Sequence, residues 1–167
     1  MGILCLACGL CCDGTLFRDV PLSVGEARAI GSLLPIFPRN GVSRLRQPCA
    51  ALAERCCIIY DHRPSRCRTY SCELYRDVER GDVTAAEAHS IVAEATALAA
   101  RIRSLLGEAD GSLWDAADAA LLRLERSQQR DDIVESMASL NTLLLERFDR
   151  NAAQSRDGQK NRVPGMR

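Results

Sequence analysis

The distribution of cysteine constrains this chain more than any other feature of its sequence. All nine cysteines lie within the first 72 residues, and the remainder of the 167-residue chain has none. Thiols clustered in this way are usually held by disulfide bonds or by a shared metal, and either can stabilise a lobe with a small core. The first question is therefore which of these two chemistries the sequence favours.

The context of the cysteines favours metal over disulfide bonds. Residues 1–10 contain no basic segment, and Cys5 comes too early for a signal peptide, so we expect a cytoplasmic protein in a reducing environment. No apolar stretch approaches the roughly 20 residues of a membrane helix, so we expect no membrane association. Clustered cysteines in the cytosol bind metal more often than they form disulfides. A disulfide scaffold is the least favoured alternative.

The spacing of the apolar residues predicts a mainly α fold with two regions. Residues 1–80 are expected to form a small, irregular, cysteine-rich lobe with minor β structure, stapled by metal. Residues 81–150 are predicted to be a helical region that packs on this lobe, and residues 151–167 a disordered polar tail. Because the connections between the predicted helices are short, we expect an antiparallel helical bundle.

Capping signals predict where the helices begin and end. Ser23-Val24-Gly25-Glu26 is a capping box that opens a short helix, and Thr84-Ala85-Ala86-Glu87 is a second one. The second box opens a long helix that Gly107 terminates. Two further helices are predicted from Ser112 and from about Asp132.

The cysteine-rich region predicts shorter and less regular elements. We expect a metal-binding knuckle over residues 1–12 and an extended segment over 16–20. Residues 39–48 are predicted to be irregular, residues 57–60 a short strand, and residues 65–74 a turn or short helix.

The first cysteines have the spacing of metal ligands. Cys5, Cys8 and Cys11 are each separated by two residues, so their thiolates can curl back on one centre. The side chains of Cys11 and Cys12 diverge, so this pair is expected to serve two metals or to bridge them. Four thiolates suit a tetrahedral zinc ion and also an iron–sulfur cluster. Eight ligands can therefore fill two mononuclear sites, one polynuclear site, or one cluster with four thiols left over.

Other polar residues near the cysteines allow two readings each. Arg63, Arg66 and Arg68 either donate hydrogen bonds to sulfur or are solvated. His62 lies between charged residues, and we interpret it as a surface histidine rather than a ligand. We interpret Tyr60 as a core tyrosine with a bonded hydroxyl.

The charge of the chain gives no strong signal for nucleic acid, because its net charge is zero. Residues 1–80 carry 11 Arg against 8 Asp and Glu, a net charge of +3 that would partly offset metal-bound thiolates. The chain contains no phosphate-binding glycine loop, no Gly-x-Ser-x-Gly elbow and no His-Glu-x-x-His motif. Catalytic residues are therefore not identifiable from the sequence.

The cysteine motifs resemble those of a known family. The motif Cys-x2-Cys-x2-Cys-Cys at 5–12, the single Cys49, and Cys-x-Ile-Tyr-x2-Arg-Pro-x2-Cys-Arg-x-Tyr-x-Cys at 57–72 are similar to the YkgJ-type cysteine-cluster family. Members are described as zinc- or iron-chelating, and the resemblance covers residues 5–72. It leaves Cys56 as an extra cysteine. The metal ligands it implies are Cys5, Cys8, Cys11, Cys12, Cys49, Cys57, Cys67 and Cys72.

The sequence thus predicts a metal-chelating protein that binds zinc or an iron–sulfur cluster through eight thiolates. Its role is expected to be structural or accessory, with a protein partner bound through the helical region. One alternative is an iron–sulfur electron-transfer protein. Another is an enzyme related to protein lysine methylation, because some proteins with similar cysteine clusters are linked to methylation of flagellin lysines. Whether the protein is an enzyme is left open.

Overall fold

In a computed structural model of the protein, which describes residues 3–107 and 111–149, the chain is mainly α-helical with minor β structure. A 3-10 turn spans Tyr60–His62. The helices are α1 (Ile3–Cys8), α2 (Val24–Ile30), α3 (Ser65–Thr69), α4 (Glu73–Arg80), α5 (Ala85–Leu106), α6 (Leu113–Arg123) and α7 (Gln128–Arg147). The strands are β1 (Asp19–Pro21), β2 (Ile36–Arg39), β3 (Val42–Arg46), β4 (Leu52–Ala53) and β5 (Cys56–Cys57).

Both predicted capping boxes are confirmed. The Ser23 and Thr84 side chains accept hydrogen bonds from the backbone three residues on, and the glutamates there bond back to the cap backbone. Gly107 follows the last residue of α5 as predicted. Helix α7 begins earlier than the predicted Asp132, because Ser127 caps it by accepting from the backbone N–H of Arg130.

The long helix α5 organises the larger hydrophobic core. It packs against α6 and α7 and also against α1 and α4. Apolar residues spaced three or four apart on α5 and α7 face one another, as the apolar periodicity predicts. We call this cluster the helical core; its buried residues are Leu10, Leu74, Ala88, Val92, Ala95, Ala99, Ile102, Leu113, Leu140, Leu144 and Phe148.

A three-stranded antiparallel sheet holds a second, smaller core. Its strand order is β1-β3-β2, so β3 is central and β2 lies at an edge. We call the adjoining cluster the sheet core; its buried residues are Val20, Leu22, Ile30, Leu34, Leu45 and Ala51.

The prediction of irregular backbone over residues 39–48 is wrong. Asn40 and Gly41 have φ of +52° and +75° and form the two-residue turn between β2 and β3. Two positive φ angles in succession are typical of the tight turn whose twist matches a β-hairpin. Pro38 is tolerated within β2 because an edge strand has a side that needs no pairing.

The predicted strand over residues 57–60 is also largely wrong. Strand β5 ends at Cys57, and a 3-10 turn begins at Tyr60. Glu54 and Arg55 have φ of +45° and +69° and form the turn of a very short hairpin, β4–β5. Ile58 and Ile59 therefore connect the hairpin to the 3-10 turn and do not extend the strand.

The other predicted elements near the N-terminus are partly correct. The expected knuckle over residues 1–12 contains a helical turn, α1, before it bends at Gly9, whose φ is +69°. The extended segment predicted over 16–20 becomes strand only from Asp19 onward. Residues 65–74 contain α3 and the start of α4, as the prediction of a turn or short helix allows.

The larger-scale predictions are only partly tested. No helix within residues 3–107 and 111–149 combines the length and apolar character needed to cross a membrane. The division between residues 1–80 and 81–150 and the antiparallel arrangement of the bundle stay predictions. The tail predicted to be disordered, 151–167, lies outside the described residues.

Candidate metal centre

A cavity of about 740 Å³ contains most of the cysteines predicted to bind metal. Its wall includes residues of both the helical core and the sheet core, Val92 and Val20 among them. The lining cysteines come from chain segments that are far apart in the sequence. They are Cys5, Cys8, Cys11, Cys12, Cys57, Cys67 and Cys72.

Helix α1 and the turn after it position the first four cysteines. Cys5 and Cys8 are three residues apart on α1 and therefore share one face. The carbonyl of Gly9 accepts hydrogen bonds from the backbone N–H groups of Cys12, at 2.9 Å, and Asp13, at 3.1 Å. This tight turn reverses the chain and returns Cys11 and Cys12 to the cavity.

Long-range hydrogen bonds fix this turn to the helices. Arg103 on α5 donates from Nη2 to the carbonyl of Asp13, at 3.0 Å, and to Oγ1 of the buried Thr15, at 2.9 Å. Trp114 on α6 donates from Nε1 to the carbonyl of Thr15, at 2.7 Å. The cysteine-bearing turn is therefore anchored to two helices that carry no cysteine.

The β4–β5 hairpin explains why two adjacent cysteines have different surroundings. Cys57 pairs with Leu52 and lines the cavity, whereas Cys56 pairs with Ala53 and is exposed. Successive residues of a strand point to opposite faces, so only one of the two cysteines can face the cavity. The hairpin turn sets which one it is.

Cys49 is the predicted ligand that does not line the cavity wall. It packs against the sheet core, and its backbone N–H donates to the carbonyl of Cys12 at 2.7 Å. This bond joins two chain segments that are 37 residues apart in the sequence. Cys49 therefore lies next to Cys12 on the sheet side of the cavity.

Helices α3 and α4 supply the last two cysteines. Cys67 lies on α3, whose first residue, Ser65, donates its backbone N–H to Oε1 of Glu26 at 2.6 Å. Cys72 caps α4, and its sulfur accepts from the backbone N–H of Tyr75 at 3.4 Å. A sulfur that already accepts an N–H is suited to carrying negative charge as a thiolate.

Burial and mutual repulsion keep these groups as neutral thiols when no metal neutralises them. Desolvation raises the pKa of Cys8 and of Cys67 to about 11, and that of Cys12 to about 12. The pKa of Cys11, the most deeply enclosed of them, is raised well above its ordinary value for the same reason. Burial likewise raises the pKa of Cys5, Cys49 and Cys72.

The charges that neighbouring thiols exert on one another fall into two groups. In the first group, burial is the largest cause that raises the pKa of Cys8, Cys11 and Cys72. The charge of Cys5 is a further cause for all three. In the second group, the pKa of Cys12 is raised first by burial and then by the charges of the three cysteines on the sheet side. Those three are Cys49, Cys57 and Cys67.

The cysteine side chains around the cavity are chemically suited to bind a metal as thiolates, but they are not arranged around one point. Within residues 3–107 and 111–149, no group of three or more His, Cys, Asp or Glu is placed to hold a metal ion as it stands. Among the described residues, the buried hydroxyl of Tyr70 has no hydrogen-bond partner, and burial raises its pKa, followed by the charges of Cys11 and Cys72. A buried donor beside thiols is suited to a metal-bound sulfur, which is a stronger acceptor.

Whether the three predicted arginines donate hydrogen bonds to sulfur stays open, although their positions differ. Arg63 and Arg66 line the cavity, whereas Arg68 is exposed and is not among its lining residues. Two further arginines that the sequence did not indicate, Arg55 and Arg76, also line the cavity. Arg55 donates from Nη1 to the carbonyl of Cys8 at 2.8 Å. The spacing of Arg55 to the cysteines gave no sign of this contact, which depends on the turn between β4 and β5.

The predictions for two neighbouring side chains have opposite outcomes. His62 is exposed, as expected of a surface histidine. The interpretation of Tyr60 as a core tyrosine is wrong, because 40% of the residue is exposed. The guanidinium of Arg63 lies 3.6 Å from the centre of the Tyr60 ring and stacks on it, so Tyr60 covers one side of the cavity arginine.

No protein-family model matches the chain, and no curated protein or solved structure was found to be similar to it. The residues of the site itself are therefore the basis for inferring function.

Proposed function

We propose that this protein chelates a metal, either zinc or an iron–sulfur cluster, through eight cysteine thiolates, in a structural or accessory role. The observation that carries the proposal is the convergence of seven of these thiols on one cavity from three separate chain segments. A disulfide scaffold does not need so many thiols around a common space. The ligands proposed are Cys5, Cys8, Cys11, Cys12, Cys49, Cys57, Cys67 and Cys72.

The donor chemistry supports this proposal. Thiolates are soft ligands that select zinc, copper(I) or iron–sulfur clusters over harder cations. The buried thiols have raised pKa values, so a metal must displace their protons and draw the sulfurs together. The proposal therefore includes a small closure of the cavity, since the thiols are not yet arranged around a common point.

The positions of the thiols support a structural role. Cys8 and Cys72 pack against the helical core, whereas Cys49, Cys57 and Cys67 pack against the sheet core. A metal shared by such thiols crosslinks segments that are distant in the sequence and stabilises the folded state. The sheet core is small and gains most from such a link.

Three further expectations belong to this proposal. The cytoplasm is the compartment in which nine free cysteines persist as thiols. The cysteine spacing supports a relation to the YkgJ-type cysteine-cluster family. Binding of a protein partner through the helical region stays a prediction, as does an enzymatic role in lysine methylation.

Metal and sulfide analysis of anaerobically purified protein, with a visible spectrum, tests the proposal. About two zinc ions per chain without colour would identify a zinc protein. Iron with acid-labile sulfide and a visible absorption would identify an iron–sulfur protein and make electron transfer the next assay. Protein that lacks metal, with its cysteines paired in disulfides, would refute metal chelation.

A matched pair of variants then tests the ligand assignment. Cys57→Ser is expected to lose metal, because Cys57 lines the cavity. Cys56→Ser is expected to retain the wild-type metal content, because the adjacent Cys56 is exposed on the other face of the same strand. Equal metal loss in both variants would contradict the assignment.

A further inference from the structure

The thiols around the cavity belong to two different structural surroundings. On one side, Cys8 and Cys72 pack against the helical core, and Cys5 shares the α1 face with Cys8. The backbone N–H after Cys72, that of Glu73, donates to the carbonyl of Phe148 at 3.0 Å. Cys72 is therefore held at the end of α7. Cys11 completes this side, because the backbone of its neighbour Cys12 is bonded to Cys49 on the other side and the two adjacent side chains diverge.

On the other side, the thiols are held by the sheet core. Cys49, Cys57 and Cys67 all pack against it. Cys12 joins them through its backbone, since its carbonyl accepts from the N–H of Cys49 at 2.7 Å. Helix α3, which carries Cys67, is tied to α2 beside the sheet by the bond between Ser65 and Glu26.

We propose that the eight thiols form two separate four-thiolate metal sites and that the adjacent residues Cys11 and Cys12 bind to different sites. This inference rests on the proposed function, because it assigns the ligands of that same metal centre. We call the first group the helical set: Cys5, Cys8, Cys11 and Cys72. We call the second group the sheet set: Cys12, Cys49, Cys57 and Cys67.

The division satisfies the geometry of adjacent cysteines. Side chains of neighbouring residues diverge, so Cys11 and Cys12 cannot both approach one tetrahedral ion without distortion of the backbone. Assigning them to different sets removes this conflict and gives each set four donors, the number that a closed structural site requires.

Charged and polar neighbours also differ between the two sets. Arg63 lines the cavity together with cysteines of both sets, Cys5 of the helical set and Cys67 of the sheet set. Tyr70 lies two residues before Cys72 of the helical set and lines the cavity, and its buried hydroxyl has no hydrogen-bond partner among the described residues. It is placed to donate to a metal-bound sulfur of that set.

Cadmium bound to the wild-type chain provides a test that needs no substitution. We expect protein loaded with ¹¹³Cd to bind about two ions per chain and to give two resonances in the range of four-sulfur coordination. The resonances should show no splitting by each other, because no sulfur is shared. Splitting between the two would reveal a bridging thiolate and overturn the division. A chain that binds no cadmium and is also purified without zinc or iron would overturn the proposed function together with the division.

Double variants test which cysteines share an ion. Cys8→Ser and Cys67→Ser, in different sets, should each reduce the zinc content of reconstituted full-length protein by about half. Adding Cys72→Ser to Cys8→Ser should cause no further loss, because both residues are in the helical set. Combining Cys8→Ser with Cys67→Ser should abolish zinc binding. Retention of the helical far-ultraviolet circular dichroism shows that each variant is folded.

The outcomes separate the division from the proposed function. If the two double variants lose equal amounts of zinc while the wild type binds it, the division is wrong and chelation stands. Tyr70→Phe gives a second readout, since it should weaken binding to the helical set and leave the ion in the sheet set unchanged. Equal weakening of both ions by Tyr70→Phe would also count against the division.

Discussion

Glu26 joins a helix cap to the segment that carries Cys67, and replacing it should destabilise the fold measurably. Its Oε2 accepts from the backbone N–H of Ser23 at 2.8 Å, which closes the capping box of α2. Its Oε1 accepts from the backbone N–H of Ser65, the first residue of α3, at 2.6 Å. A hydrogen bond to a charged acceptor stabilises a protein by about 1.5–3 kcal/mol when it is shielded from water. Because Glu26 is partly exposed, we expect Glu26→Ala to cost about 1–2 kcal/mol.

The pKa of Glu26 gives this prediction a pH dependence with a definite sign. The backbone N–H of Ser65, followed by the groups of Ser23, lowers its pKa from 4.5 to about 2. A lowered carboxyl pKa stabilises the folded state above the unfolded pKa, and this stabilisation is lost as the pH falls through the folded pKa. The difference in unfolding free energy between wild type and Glu26→Ala should therefore be constant above about pH 5 and shrink toward pH 2.

Urea unfolding of the metal-free, reduced protein, followed by circular dichroism, measures this difference. Buried thiols remain protonated over the acid range because their pKa values are raised, so they do not titrate in this window. Glu87→Ala is the matched control, since Glu87 closes the capping box of α5 with the same local bonds to Thr84. We expect it to be less destabilising than Glu26→Ala. Equal effects of the two variants, or a pH-independent difference, would refute the role of the Ser65 bond.

Two further predictions concern the helical core and the turns. Leu74→Ala should destabilise the protein by about 2–5 kcal/mol in urea unfolding, because Leu74 is fully buried; Leu122→Ala, at a residue that is 89% exposed, should change stability by less than about 0.5 kcal/mol. Gly41→Ala should destabilise by about 1 kcal/mol because φ is +75° there. Gly25→Ala, in a helix with open space around the added methyl group, should stabilise by about 0.5–1 kcal/mol. A destabilising Gly25→Ala or a neutral Leu74→Ala would contradict the reasoning.

The helices were predictable because their signals are local. A capping box involves residues three apart, and Ser23 and Thr84 each form one in the structure. The buried residues of α5 and α7 follow from a period of three to four residues, which depends only on helix geometry. The start of α7 was misplaced because its cap, Ser127, has no glutamate three residues on and so forms no capping box.

The hairpins were missed for two different reasons. Asn40-Gly41 is among the strongest short-range signals for a hairpin, but Gly41 and Pro48 are also typical of irregular backbone. Glu54-Arg55 carries no such signal, because residues of these types seldom adopt positive φ angles. Only the pairing of Leu52 with Cys57 reveals that turn.

The candidate site shows the same limit of local reasoning. The spacing of Cys5, Cys8 and Cys11 identifies them as possible ligands, since these thiols are brought together by one helical turn and the bend after it. Nothing in the spacing shows that Arg55 reaches the carbonyl of Cys8 or that Tyr70 buries its hydroxyl beside thiols. These contacts arise where segments that are distant in the sequence pack together, and local sequence patterns do not encode that packing.

Convergence of the thiols therefore depends on packing that metal itself does not supply. The turn that carries Cys11 and Cys12 is held by Arg103 and Trp114, which lie on helices without cysteine. The helical core, to which α5, α6 and α7 contribute most of the buried residues, thus supports the helical set. The sheet set has a smaller core behind it and depends more on metal to hold its segments together. The two proposed sites therefore differ in structural role. The helical set is attached to the larger core, whereas the sheet set completes a lobe whose own core is small.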